Sequence, residues 1–447
     1  MDNRIKVLAS SMNKLYRRGA QSNIQKMLSK CHAVDISEVL MSLETDVRLT
    51  LFQWIDGSDR QAEVLSRLNK TCQLELAHTM DIVELQGLLA LMDSDDAADL
   101  LGELPEDLSQ SLLSGLKKNE LQDVEELMAF PSDSAGGLMG SEFLTLNQSL
   151  TVSKAITHIQ NQDEDDISFY IYVVDASQTL VGVLSLKQLL LCRPADRLQD
   201  IMSSDVISVE VSTDQAEVAR IVERYDFLSL PVIDGARKLV GIITVDDVID
   251  VIREEAAEDL YAMGGIAASY DDSIWQHLKS RGPWVFLSLA AGLLAAVMMN
   301  KFFDSQNIAL EIPRGYALLP LLFFVGDNLC TQTVTSCLGF IRSYRASGHR
   351  WAVFLKKEIF QGIIINLTIG LLLSILFWTF PLVFPFSLSI VALVLCHLFM
   401  TMFFSLSVPL LIHKTSSSDP LLSAPTLAEL FSHFAGILLI LGYYAFG

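Results

Sequence analysis

The chain has 447 residues, a formal net charge of -21 and a hydrophobic fraction of 51%. That acidity excludes a nucleic-acid-binding role, because neutralising phosphates needs Lys and Arg, and it suits a positively charged partner, most simply a hard metal cation. The length leaves room for several domains, and the six cysteines are scattered without a CxxC pair, which reads as reduced thiols and not as a disulfide framework.

The start of the chain carries Arg4, Lys6, Lys14, Arg17 and Arg18 with no apolar run between them, so a cytosolic N-terminus without a cleaved signal peptide is expected. Residues 1–130 read as an all-helical domain of stacked hairpins. Apolar residues recur at helical spacing, as in Val39-Leu40-Met41-Ser42-Leu43, Val64-Leu65-Ser66-Arg67-Leu68 and Leu100-Leu101-Gly102-Glu103-Leu104.

Residues 131–253 alternate strands and helices in a clear internal repeat. Tyr172-Val173-Val174-Asp175 with Leu180-Val181-Gly182-Val183 matches Leu230-Pro231-Val232-Ile233-Asp234 with Leu239-Val240-Gly241-Ile242, at a spacing of 59. Upstream, Met139-Gly140-Ser141 matches Met202-Ser203-Ser204. The two units, 131–200 and 201–253, resemble a tandem of cystathionine-β-synthase (CBS) domains, whose cleft binds adenosine nucleotides such as ATP. On that resemblance Thr244 and Asp247 would contact the nucleotide. Alternatively they only cap the following helix. The first unit has Ser185-Leu186-Lys187-Gln188 and lacks the acid.

Residues 254–280 form an acidic connecting helix, and 281–447 form a membrane domain. Five segments, 284–303, 316–341, 353–380, 386–412 and 421–446, are long and apolar enough to span. Basic residues Lys279, Arg281, Arg342, Arg345, Arg350, Lys356, Lys357, His413 and Lys414 fall in loops on one side. Loop 380–385 is uncharged, and Lys301, Glu311 and Arg314 fall on the outer side. This orients the chain with its N-terminus in the cytosol and its C-terminus outside. No GxxxxGK[ST] loop and no nucleophile–base constellation stands out, so neither an ATP-driven pump nor another enzyme is expected.

The order of helical domain, CBS pair, acidic helix and five spans resembles the MgtE family of magnesium transporters. The pieces that carry the resemblance are Met92-Asp93-Ser94-Asp95-Asp96-Ala97-Ala98-Asp99-Leu100-Leu101, Phe130-Pro131-Ser132-Asp133-Ser134-Ala135-Gly136-Gly137-Leu138-Met139 and Ile243-Thr244-Val245-Asp246-Asp247-Val248-Ile249-Asp250-Val251-Ile252, with Asp419-Pro420. The resemblance implies a homodimer in the bacterial inner membrane, a pore on the dimer axis, and cytosolic acids that bind Mg²⁺ and lock a connecting "plug" helix over the pore. The regulatory acids would be Asp93, Asp95, Asp96 and Asp99, then Asp226, Asp246, Asp247 and Asp250, then Glu254, Glu255, Glu258 and Asp259. Bringing such surfaces together costs like-charge repulsion, which Mg²⁺ removes as it bridges them. The compact state binds more metal, so internal Mg²⁺ favours closure by linkage.

In the second span the family's Gly-Gly-Asn-x-Gly-x-Gln becomes Gly326-Asp327-Asn328-Leu329-Cys330-Thr331-Gln332. In the fifth span the family's pore Asp, three residues before a glycine, aligns with His433 ahead of Gly436, and Glu429 lies one turn earlier. Candidate pore residues are therefore Asp327, Asn328, Gln332, Glu429 and His433. Three readings stay open: Asp327 and Glu429 replace the lost charge and the ion is Mg²⁺; His433 with Cys330 favours Zn²⁺, Co²⁺ or Ni²⁺; or the chain is a non-conducting Mg²⁺ or nucleotide sensor. His397 reads as an interhelical hydrogen-bonding residue, and Glu358 as an interfacial anchor.

Overall fold

A computed structural model describes residues 3–161, 169–266, 273–305, 318–343, 348–379, 388–415 and 420–446. Glu311, Arg314, Arg345, loop 380–385 and Asp419 lie outside the described residues. The chain divides into two compact units, Met1–Ile252 and Arg253–Gly447.

Among the described residues the first unit opens with ten helices, from α1 (Asn3–Arg17) to α10 (Lys118–Leu127). Each is short and buries one stripe. α3 (Ala33–Met41) buries Ile36, Val39 and Leu40, and α5 (Ser58–Ser66) buries Ala62, Val64 and Leu65. Helices this short are marginal alone, so packing between neighbours holds them. After α11 (Ala135–Leu138) come two small sheets. In the first, β1 (Thr145–Asn147) pairs in parallel with β2 (Tyr170–Val174), which pairs antiparallel with β3 (Leu180–Ser185). The second repeats this with β4 (Val209–Glu210), β5 (Ser229–Ile233) and β6 (Leu239–Thr244). The helices of these repeats are α12 (Val152–Ile159), α13 (Leu186–Leu191), α14 (Leu198–Ile201) and α15 (Gln215–Tyr225).

The repeat extends to register. Val173 pairs with Gly182 and Val232 with Gly241, and both ladders shift at the next residue. The segment before each repeat packs on the other repeat's sheet. Gly140 exchanges backbone bonds with Ile242 at 2.9 and 3.1 Å, and Ser203 does so with Val183 at 2.9 and 3.0 Å. Both glycines are needed for this. A methyl group on Gly241 would meet Met139 Sδ at 2.5 Å, and one on Gly182 would meet Met202 Sδ at 2.3 Å. The second repeat shares one apolar core with the helical region, in which Leu230, Val232 and Ile243 join Leu88, Leu101 and Leu127.

Helix α16 (Val245–Met263) runs through the division between the units. Among the described residues the second unit then holds five long helices: α17 (Ile274–Ser305), α18 (Leu319–Ser343), α19 (Gly348–Thr379), α20 (Leu388–Thr415) and α21 (Pro420–Phe446). Among the described residues, 274–302, 351–379, 389–415 and 420–443 are long and apolar enough to cross a membrane. α18 falls short because Asp327, Asn328, Thr331, Gln332, Thr333, Thr335 and Ser336 interrupt it. It packs against α17, α20 and α21, so those polar groups meet protein on several sides, as polar residues at membrane depth must.

Candidate functional site

The acids converge first at the N-terminus of α8 (Ser94–Glu103). Asp93 stands at its N-cap, and Asp95 and Asp96 lie in its first turn, where the helix dipole favours negative charge. The start of the helix is held from the CBS side: Glu142 accepts the Ser94 N–H at 3.1 Å and the Ser94 hydroxyl at 3.0 Å, and Ser141 N–H donates to Ser94 Oγ at 3.0 Å. Asp247, in the first turn of α16, faces the same place. Burial and the neighbouring Asp247 and Asp96 carboxylates push Asp95 up to about 8. Burial, Asp93 and Asp247 push Asp96 up to about 6. Asp247 rises to about 6 through burial, then Asp246 and Asp250, against a hydrogen bond from Thr244. Burial also raises Asp99, where Lys70 opposes it. The cluster thus resists its own negative charge, the electrostatic condition a cation relieves.

Among the described residues no three His, Cys, Asp or Glu side chains converge tightly enough to hold an ion directly. The donors are nevertheless carboxylate oxygens, which suit Mg²⁺ with its retained waters. Asp226 stands apart: it is exposed and left-handed (φ 54) at the C-cap of α15. Asp250, Glu254 and Glu258 follow Asp247 at helical spacing on α16, all exposed, with Glu255 and Asp259 beside them. The last four belong to the second unit. Glu142, which sequence reasoning missed, had no local signal, because its partner lies 48 residues away.

Between the two CBS sheets, Tyr172 Oη and Ser229 Oγ lie 2.8 Å apart, and burial pushes the phenol up. Thr244 Oγ1 donates to Asp247 and lies 2.6 Å from Asp246 Oδ1. The matching Ser185 is engaged in a full capping box with Gln188, so in that repeat the position serves the helix.

In the helical bundle, α18 and α21 run antiparallel along a polar seam. Asp327 Oδ1 is bonded to His433 Nε2, and one turn on, Thr331 Oγ1 donates to Glu429 Oε1 at 3.3 Å. Phe323 packs edge-on against the His433 ring, 4.7 Å between centroids. The Asp327 and His433 side chains keep 46% and 34% of their exposure. Asn328 is committed elsewhere: its Nδ2 donates to the Trp284 carbonyl at 3.3 Å. Gln332 is 2% exposed, on another face of α18, and among the described residues its side-chain amide has no hydrogen-bond partner. Cys330 is fully buried in an apolar cluster with Val334, Ala424 and Ala428.

The same face of α18 continues through Thr335 and Gly339, each four residues on, and there it meets the end of α16. A methyl group on Gly264 would reach Thr335 Oγ1 at 2.0 Å, and one on Gly339 would reach the Tyr261 ring at 2.8 Å. Gly265, with φ +68, terminates the helix, and Ile266 N–H closes back to the Tyr261 carbonyl at 2.9 Å, as a Schellman cap does. Tyr261, Ala257 and Ile266 form a small buried cluster. Glu358 is 4% exposed and paired with Arg281.

Comparison with known proteins agrees with this layout. The MgtE intracellular N domain matches residues 31–133, and the CBS domain matches 135–193 and 198–254. The magnesium transporter MgtE of Bacillus subtilis is 29% identical over 93% of this chain and 92% of its own. The crystal structure of the cytosolic domain of the Mg²⁺ channel MgtE in complex with ATP superposes with a TM-score of 0.52 at 35% identity, covering 54% of this chain and 99% of that one. The magnesium transporter MgtE of Thermus thermophilus is 30% identical over 97% of both chains, and the chain described here belongs to the MgtE family.

Proposed function

We propose that this chain is a Mg²⁺-conducting membrane transporter whose cytosolic part senses Mg²⁺ and closes the pathway. The observation that carries the gating is the meeting of Asp95, Asp96 and Asp247, each pushed well above the usual carboxylate range. A divalent ion bridging them, through retained waters, relieves a repulsion that the closed arrangement otherwise bears. Internal Mg²⁺ therefore favours the compact state by linkage. In that state the end of α16 sits on Thr335 and Gly339, on the cytosolic side of the polar seam.

The pathway runs along the α18–α21 seam. Asp327 and His433 stay half-exposed on the single chain. A polar pair facing lipid is costly, and a second copy across a twofold axis encloses both pairs in a shared aqueous route. Asp327 and Glu429 supply the negative charge that attracts the cation. Thr244 and Asp247 contact an adenosine nucleotide in the CBS cleft. The N-terminus lies in the cytosol of a bacterial inner membrane and the C-terminus outside.

A second reading of the ion rests on the His433 nitrogen at Asp327, since imidazole suits Zn²⁺, Co²⁺ and Ni²⁺ better than Mg²⁺. One experiment covers transport, ion and gate. Cells lacking their own magnesium uptake should grow on limiting Mg²⁺ when they express the chain. Competing Co²⁺ or Ni²⁺ should inhibit poorly, and millimolar Mg²⁺ should protect the cytosolic part from protease. Absence of growth despite membrane insertion would overturn transport; strong competition would favour the softer ions; absence of protection would overturn the gate.

A further inference from the structure

Behind the Asp327–His433 pair lies a second imidazole. His397, on α20, is 0% exposed. Its imidazole lies between the backbones of α18 and α21. A methyl group on Gly326 would come within 2.9 Å of its Nε2, and one on Gly436 within 2.9 Å of its Nδ1 and Cε1. Gly326 directly precedes Asp327, and Gly436 follows His433 by one turn. The ring therefore occupies the space that two absent side chains leave beside the pair. One and two turns along α20, Thr401 and Ser405 are also 0% exposed, and Thr401 Oγ1 lies 2.6 Å from Ser432 Oγ. α20 thus presents a buried polar column to the back of the seam.

Packing alone does not call for histidine here. The Leu322 carbonyl lies toward the ring, yet among the described residues neither imidazole nitrogen has a hydrogen-bond partner of good geometry. A leucine would fill similar space and strand no polar atom. Polar rings retained at membrane depth mark pathways and their supports.

We propose that His397 is a positioning residue that sets the separation of α18 and α21 at Asp327 and His433, and with it the cations the pathway accepts. This rests on the reading that those two residues line the route. Binding sites discriminate by small differences in spacing, and one methyl-sized change is worth about tenfold or more.

The test is uptake by the full chain in liposomes, with Mg²⁺ and Co²⁺ as probes and inserted protein equalised. His397→Ala should change the Mg²⁺ to Co²⁺ uptake ratio by about tenfold. Gly436→Ala should lower uptake of both ions by about a hundredfold, because the ring cannot yield the space. Combining His397→Ala with Gly436→Ala should restore uptake above that of Gly436→Ala alone. His397→Asn, smaller but polar, carries the ratio measurement if the alanine variant does not insert. An unchanged ratio, or a double variant no better than Gly436→Ala, would overturn the proposal. Asp327→Asn separates this from the pathway reading. If it transports like the parent chain, the pathway reading and the proposal fall together. If it is inactive while the His397 variants behave as the parent, the proposal alone falls.

Discussion

Arg281 grips Glu358 through two N–H···O bonds of 3.0 and 2.7 Å, and Ser336 donates to the same carboxylate at 2.7 Å. The charged side chains are 2% and 4% exposed, so one network ties α17, α18 and α19 inside the bundle. Removing one partner strands the other charge away from water, which costs about 3–5 kcal/mol. Arg281→Ala and Glu358→Ala should each lower the unfolding midpoint in detergent steeply. Arg281→Met combined with Glu358→Leu should lose less than either, because no charge is stranded. Thermal unfolding followed by tryptophan fluorescence measures this, and additive losses would contradict it.

The raised acids make the cytosolic unit sensitive to pH with a definite sign. Asp95 has a folded pKa of about 8, against about 3.9 in an unfolded chain. Its protonated form is the one the fold prefers. That contribution is fully present below the unfolded value and is lost as pH rises through about 8. Asp96 and Asp247 act in the same direction and lose theirs through about 6. Without Mg²⁺ the unfolding midpoint should therefore fall as pH rises from weakly acidic to weakly alkaline. Mg²⁺ should recover the loss, most at the alkaline end. Asp95→Asn should flatten the profile and reduce the Mg²⁺ effect. A profile equally steep in Asp95→Asn would reject the assignment.

The architecture was legible because it is written in local periods. Helical stripes such as Ile36, Val39 and Leu40, and the matched Val173–Gly182 and Val232–Gly241 pairs, need only neighbouring residues to be read. What the repeat could not show is the exchange: Met139 and Met202 stand before their own repeats, yet each packs on the other repeat's glycine. The candidate site divides the same way. Asp327 and His433 stand out singly as ionisable groups within apolar runs, but their pairing spans 106 positions and is set by how α18 and α21 cross. Gln332 and Asn328 share a motif with Asp327, yet helical rotation sends one into the interior and the other to the Trp284 carbonyl. Glu142 is an ordinary acid until the fold brings it to Ser94.

That contact gives a third expectation. Glu142 caps α8 from outside the helix, holding the end that carries Asp95 and Asp96. Its carboxylate also adds to the repulsion on Asp95. Glu142→Ala should cost about 1 kcal/mol, as lost caps do, and should lower the pH at which Asp95 ionises. Glu142→Gln keeps an acceptor and should retain most of the stability while easing Asp95 in the same way. Urea unfolding at acidic and alkaline pH separates the two effects. Equal stability loss in both variants would mean that charge, and not the cap, holds the helix.

The end of α16 yields the sharpest expectation for gating. Gly264 lies so close to α18 that a methyl group would overlap Thr335 Oγ1 at 2.0 Å, and the Tyr261 ring lies over Gly339. Gly264→Val should therefore prevent the helix end from seating while leaving the seam beyond it intact. Gly265→Ala differs: it places a side chain at φ +68, which costs about 1–2 kcal/mol but adds less bulk toward α18. In liposomes with Mg²⁺ on the cytosolic side, parent uptake should be held low. Gly264→Val should stay open at every Mg²⁺ level, and Gly265→Ala should close at higher Mg²⁺, since the ion must then offset the strain. Gly339→Leu, which removes the seat for Tyr261 from the opposite partner, should match Gly264→Val. If Gly264→Val closes at the same Mg²⁺ as the parent, the contact of α16 with Thr335 and Gly339 is packing without a role in the gate.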